Sequence, residues 1–149
     1  MSLTRRTAVL SVAIGKASGF RSSIGIGVGA LTWFHGTDHE RLAIGGTAIA
    51  TAGEIVMDKL PTTPSRLSPP ALIGRILAGS GAAFVIARRL GDDAALPAVI
   101  GGLSAVAGSY TGHAYRGWAS KRVPPLAAAV VEDVVAIALG AAVLNEVLA

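Results

Sequence analysis

Ala94-Ala-Leu-Pro97-Ala-Val-Ile-Gly101-Gly102-Leu-Ser-Ala-Val-Ala-Gly108-Ser-Tyr110-Thr-Gly112-His113-Ala-Tyr115 runs for 22 residues without Asp, Glu, Lys or Arg. At 1.5 Å per residue a helix needs about 20 residues to cross a hydrocarbon core of about 30 Å, so this stretch predicts a membrane span. Working outward, turn chemistry divides the chain into five apolar stretches, 7–34, 42–60, 71–90, 94–119 and 126–148. Short polar connections join them, and the pairs Pro69-Pro70 and Pro124-Pro125 suit helix starts, where a missing N–H costs nothing. The expectation is an all-α fold: a polytopic membrane bundle of about five transmembrane helices in one domain of 149 residues.

Composition agrees. Hydrophobic residues make up 52% and charged residues 15%, against about 25% charged in soluble domains. That excludes a disordered tail and a coiled coil, and the absence of cysteine excludes disulfide scaffolds, thiol nucleophiles and thiolate metal sites. A soluble bundle would show an amphipathic stripe, but the charges sit in surroundings apolar on all sides, as in Ala-Val-Val-Glu132-Asp133-Val-Val-Ala-Ile. The net charge of +4 does not indicate a nucleic-acid partner, because Lys and Arg punctuate apolar segments and aromatics are few. The implied partner is the lipid bilayer.

Five spans set an orientation. Arg5, Arg6, Lys59, Arg66, Arg75, Arg116, Lys121 and Arg122 fall on one side and Arg41, Arg88 and Arg89 on the other, which favours a cytoplasmic N-terminus and a C-terminus outside. The basic, apolar start resembles a secretion signal, but Lys16 and Arg21 interrupt it and no Ala-x-Ala site follows, so an uncleaved first span is expected.

Glycines at i, i+4 let helices approach closely where lipid removes the hydrophobic incentive. Gly15-x-x-x-Gly19 and Gly108-x-x-x-Gly112 have this spacing, which predicts tight packing within the chain or in a homo-oligomer, a dimer by preference. Each motif lies in a stretch followed by one carrying Glu near its cytoplasmic end. The first–second and fourth–fifth pairs would then be oppositely oriented, as in the inverted repeats of transporters.

The chemistry lies in the intramembrane charges, which cost about 2.5 to 3.5 kcal/mol each unless paired or hydrated. Glu54 and Glu132 each lie seven residues from a proline, Pro61 or Pro125, and so about 10 Å inside their spans. Lys16, Arg21, Asp58, Arg75 and Asp133 fall near the same level, which predicts one shared polar cluster. Lys16 and Arg21 face one cavity only if the first helix breaks near Gly19. Desolvation raises a carboxylate pKa and adjacent carboxylates resist double ionisation, so the cluster suits binding or permeation of a small polar solute or ion, with proton coupling. The alternatives are structural ion pairs, with Arg116 among them, in a non-transporting scaffold, or an intramembrane enzyme acting on a lipid-like substrate. His35 and His39, near Asp38 and Glu40, read as a solvated loop rather than a metal site; His113 reads as packing. No cofactor, metal or catalytic residue is expected, since no hydrolase, zinc or phosphate-loop motif occurs.

Gly53-Glu54-Ile-Val-Met-Asp58-Lys59-Leu60-Pro61, the following Pro64-Ser-Arg66-Leu-Ser-Pro69-Pro70 and the late Glu132-Asp133-Val-Val-Ala-Ile137 are together similar to the domain of unknown function 4126 family of small bacterial integral membrane proteins. The linker is shorter than in many members and lacks their Trp-Asp and His-Thr elements. The resemblance implies a multi-span inner-membrane protein without an assigned activity. It groups Glu54, Asp58, Lys59, Pro61, Arg66, Glu132 and Asp133 as one set.

Overall fold

A computed structural model describes residues 3–57 and 67–149. They form six helices, α1 (Arg5–Phe20), α2 (Ser22–Phe34), α3 (Glu40–Met57), α4 (Pro69–Arg89), α5 (Ala95–Ala119) and α6 (Pro125–Leu148), and no strand occurs among them. Thr4 caps α1, its hydroxyl accepting from the Thr7 N–H at 3.2 Å. Both proline pairs begin helices, α4 at Pro69 and α6 at Pro125. Gly91, at φ +80°, ends α4 in the left-handed conformation while the Asp92 N–H reaches back to the Ala87 carbonyl at 2.9 Å.

The expected first span, 7–34, is two helices. Arg21 alone is extended (φ −145°, ψ 117°), between the bond from its N–H to Ala17 O and the one from the Ile24 N–H to its own carbonyl. The break therefore falls two residues beyond Gly19, and it reverses the chain. Gly15 and Gly19 of α1 lie against Gly101 and Ala105–Gly108 of α5, so α1 and α5 run the same way. Gly79 packs on Gly101, across the turn that makes α4 and α5 antiparallel. Along α2, however, Gly25 and Gly29 meet Ala78 and Ala82 of α4, so α2 runs parallel to α4 and opposite to α1.

This hairpin bears on three expectations. The Gly15/Gly19 and Gly108 motifs form one interface between parallel helices, so they are not the halves of an inverted pair. The close-approach glycines of α1, α4 and α5 are filled from inside the chain: a methyl group on Gly15 would strike the Gly101 carbonyl, and one on Gly19 would lie 2.7 Å from Gly108 Cα. Finally, both termini lie at one end, where Arg6 pairs with Glu146 of α6 at 3.8 Å and Thr4 with Asp92, so they do not lie on opposite sides. Among the described residues that end carries Arg5, Arg6, Arg41, Arg88 and Arg89, and the other carries Arg116, Lys121 and Arg122. Arg5 and Arg6 thus lie at the end of Arg41, Arg88 and Arg89, not at that of Arg116, Lys121 and Arg122 with which the orientation had grouped them.

Among the described residues, α4 and α6 are the helices both long and apolar enough to cross a membrane by length and composition. Gly, Ser and Thr dilute α5, the stretch that looked most like a span. The interior is small-residue: Ala17, Ala82, Ala83, Ala87, Ala105 and Ala136 are buried with Ile14 and Ile86. Two buried hydroxyls of α1 are satisfied within their helix, Ser11 on Thr7 O and Ser18 on Ile14 O, both at 2.7 Å. Large apolar side chains instead face outward on every helix, including Val9, Ile26, Ile49 (77% exposed), Leu77, Leu103 and Val134.

Candidate functional site: the charged hairpin tip

The α1–α2 turn does not reach the end of the bundle. Arg21 bonds Asp133, eight residues into α6, so the tip stops about 12 Å short of the α6 N-terminus. A chain reversal inside the bundle leaves the last carbonyls of α1 and the first N–H groups of α2 without helical partners. Charged side chains from the surrounding helices satisfy them.

At the end of α1, Arg75 of α4 donates from Nη1 to the Gly19 carbonyl at 2.9 Å, and Ser109 Oγ of α5 donates to the same oxygen at 3.3 Å. At the start of α2, Glu54 of α3 accepts from the Ser22 N–H (3.1 Å) and hydroxyl (3.0 Å) through Oε1 and from the Ser23 N–H (2.9 Å) through Oε2. A cation thus meets the negative end of one helix dipole and an anion the positive end of the next. Arg21 is 0% exposed; its Nε donates to Asp133 Oδ1 at 2.6 Å and its Nη2 pairs with the same oxygen. Arg116 Nε donates to Glu132 Oε2 at 2.5 Å. Gly112 makes room beside it: a Cβ there would lie 3.0 Å from the Phe20 ring and 3.3 Å from Glu132 Oε1.

Of the charges singled out in the sequence, Arg21, Glu54, Arg75, Arg116, Glu132 and Asp133 lie around this turn. Lys16 stands apart: its side chain is exposed and makes no hydrogen bond or ion pair among the described residues, because α1 stays helical through Phe20 and turns Lys16 away from Arg21. Glu132 and Asp133 each face a different guanidinium, Arg116 and Arg21 respectively. Asp58, Lys59, Pro61 and Arg66 lie outside the described residues.

Ser22, Ser23, Ser109 and the Gly19 carbonyl were not singled out from sequence. The Ser pair directly after Gly19-Phe20-Arg21 is an ordinary helix-start signal that could have found the break. Beside the tip, Phe20, Thr111, Tyr115, Val131, Glu132 and Val135 line a mostly apolar cavity of about 270 Å³. At the far end His35 Nδ1 lies 2.9 Å from Glu40 Oε1 and the Gly36 N–H bonds Oε2 at 3.1 Å. The Gly36 N–H, then His35, hold the Glu40 carboxyl below its ordinary value. His113 is exposed. No group of three His, Asp or Glu able to hold a metal occurs among the described residues.

Compared with protein-family models, curated proteins and solved structures, the chain matches none.

Proposed function

We propose that the chain is an integral membrane bundle whose charged cluster is a structural brace for a re-entrant hairpin, making it a packing and interaction module rather than a permeation pathway. The observation that carries this reading is the use of Glu54, Arg75 and Asp133: each is engaged by the backbone ends or the arginine of the α1–α2 turn. Non-helical backbone at membrane depth is tolerated only where protein satisfies it, and Glu54 and Arg75 do so while Asp133 holds the Arg21 side chain. The outward apolar surface over an Ala/Gly/Ser interior supports a lipid environment, as do the two span-length helices. Membership of the domain of unknown function 4126 family and a bacterial inner-membrane location belong to the same proposal and rest on the motif residues. A second copy would meet α3, which packs chiefly on α2 and leaves Gly45, Gly46 and Gly53 bare.

The test is reconstitution. Liposomes carrying the protein should move protons and small ions no faster than empty ones, while Glu54→Gln and Asp133→Asn lower the unfolding temperature in detergent. Flux that Glu54→Gln abolishes in a normally folded protein would contradict the reading and restore the pathway.

A second reading has its own observation. Glu132 lines a cavity, next to the aromatic rings of Phe20 and Tyr115. That arrangement suits a small amphiphilic solute with a polar head at Glu132–Arg116, and saturable solute binding lost in Glu132→Gln is its signature.

A further inference from the structure

At the end of the bundle away from the hairpin tip, α2 and α4 border an open cavity of about 330 Å³ lined by Thr32, Trp33, Val85, Arg88 and Arg89. Arginines in the last turn of a helix ordinarily serve its carbonyls or a nearby acid. Arg88 and Arg89 do neither: both are exposed, and neither side chain makes a hydrogen bond or ion pair among the described residues. The acids in the adjoining turn are committed elsewhere. Asp92 accepts from the Thr4 N–H (3.1 Å) and hydroxyl (2.8 Å), and Asp93 from the Ala95 N–H (2.9 Å). Two guanidiniums, each with five N–H donors, therefore share one cavity with no anion among the described residues.

The remaining walls define the ligand further. Trp33 is 61% exposed, an apolar ring with one N–H donor of the kind that settles at a membrane–water interface. Thr32 is buried, with a hydroxyl that has no hydrogen-bond partner among the described residues, and Val85 adds an apolar wall. Planar guanidinium forks match phosphate oxygens, whereas the indole and valine suit an apolar stem.

We infer that this cavity binds the phosphate of an anionic phosphate-bearing ligand, with Arg88 and Arg89 as the ligating residues. Where the chain lies in a membrane, as proposed above, the headgroup of an anionic lipid supplies that chemistry; free phosphate supplies it otherwise.

The experiment titrates delipidated protein in detergent with phosphatidylglycerol, phosphatidylcholine or inorganic phosphate and follows the unfolding temperature. Wild type is compared with Arg88→Gln/Arg89→Gln and with Arg5→Gln/Arg41→Gln, which removes the same charge from the same end. Phosphatidylglycerol should stabilise wild type, and its apparent affinity should fall at least about tenfold in Arg88→Gln/Arg89→Gln but stay within about twofold in the control. Inorganic phosphate giving the same Arg88/Arg89-dependent shift would assign the site to free phosphate, and phosphatidylcholine should give little shift. Equal affinity in wild type and Arg88→Gln/Arg89→Gln, or an equal loss in the control, would overturn the inference. Release of the protein from membranes without detergent would overturn the membrane reading instead, and the phosphate titration would still report on the site.

Discussion

The Arg21–Asp133 pair is buried between α1 and α6, and breaking a buried charge pair by removing one carboxylate is costly. Asp133→Ala should therefore cost about 3 to 5 kcal/mol in detergent unfolding, while Arg21→Met/Asp133→Leu should recover most of it. A single-variant cost below about 1 kcal/mol would show that the pair does not hold the tip. Asp92 makes a different prediction. Hydrogen bonds from the Thr7 and Thr4 side chains and the Thr4 N–H hold its carboxyl below the ordinary value near 3.8. A depressed carboxyl contributes stability that is full above its unfolded pKa and is lost as pH falls through the folded one. The anchoring of α1 to the α4–α5 turn should thus loosen only below about pH 4. Amide exchange at the start of α1, corrected for intrinsic rates, should show that acid loosening in wild type and none in Asp92→Asn. At this scale much of the site was legible: Glu54, Arg75, Glu132 and Asp133 were marked by their cost inside apolar stretches. Their partners were not, because a bond from Glu54 to the Ser22 and Ser23 amides exists only once the chain has turned back.

At the scale of elements, glycine placement separates contact from ornament. Gly101 lies between α1 and α4, where a Cβ would strike the Gly79 carbonyl and come within 2.6 Å of Ala83 Cβ. Gly81, on the same α4, has nothing within 4 Å. Gly101→Ala should destabilise by about 1 to 3 kcal/mol through overpacking, whereas Gly81→Ala should be neutral or gain up to about 1 kcal/mol of helix propensity. Thermal or denaturant unfolding of the two variants checks both values, and a Gly101→Ala variant as stable as Gly81→Ala would remove the α1–α4–α5 contact from the account. The Gly-x-x-x-Gly spacing announced a close approach but not its partner. Spacing along one helix says which face is smooth, and only the register of α1 against α5 says what lies on it.

For the whole molecule, hydropathy marked the helical segments and missed their number. The stretch 7–34 is 28 residues, about eight more than a span needs, and that excess was the trace of a hairpin built from helices of 16 and 13 residues. A single extended residue leaves no mark on average hydropathy. Its reversal depends on Glu54, Arg75 and Asp133 arriving from three other helices, so it could not be read locally. The reversal makes the helix count even and brings the termini together, and the central claim rests on it. The direct measurement is a spin-label distance between Arg5→Cys and Trp33→Cys, in a chain with no native cysteine. The hairpin places both labels at one end of the bundle, at a separation on the order of 20 Å, the width of two or three packed helices. A single helix through Arg21 would separate them by about 42 Å, and a distribution centred there would contradict the account.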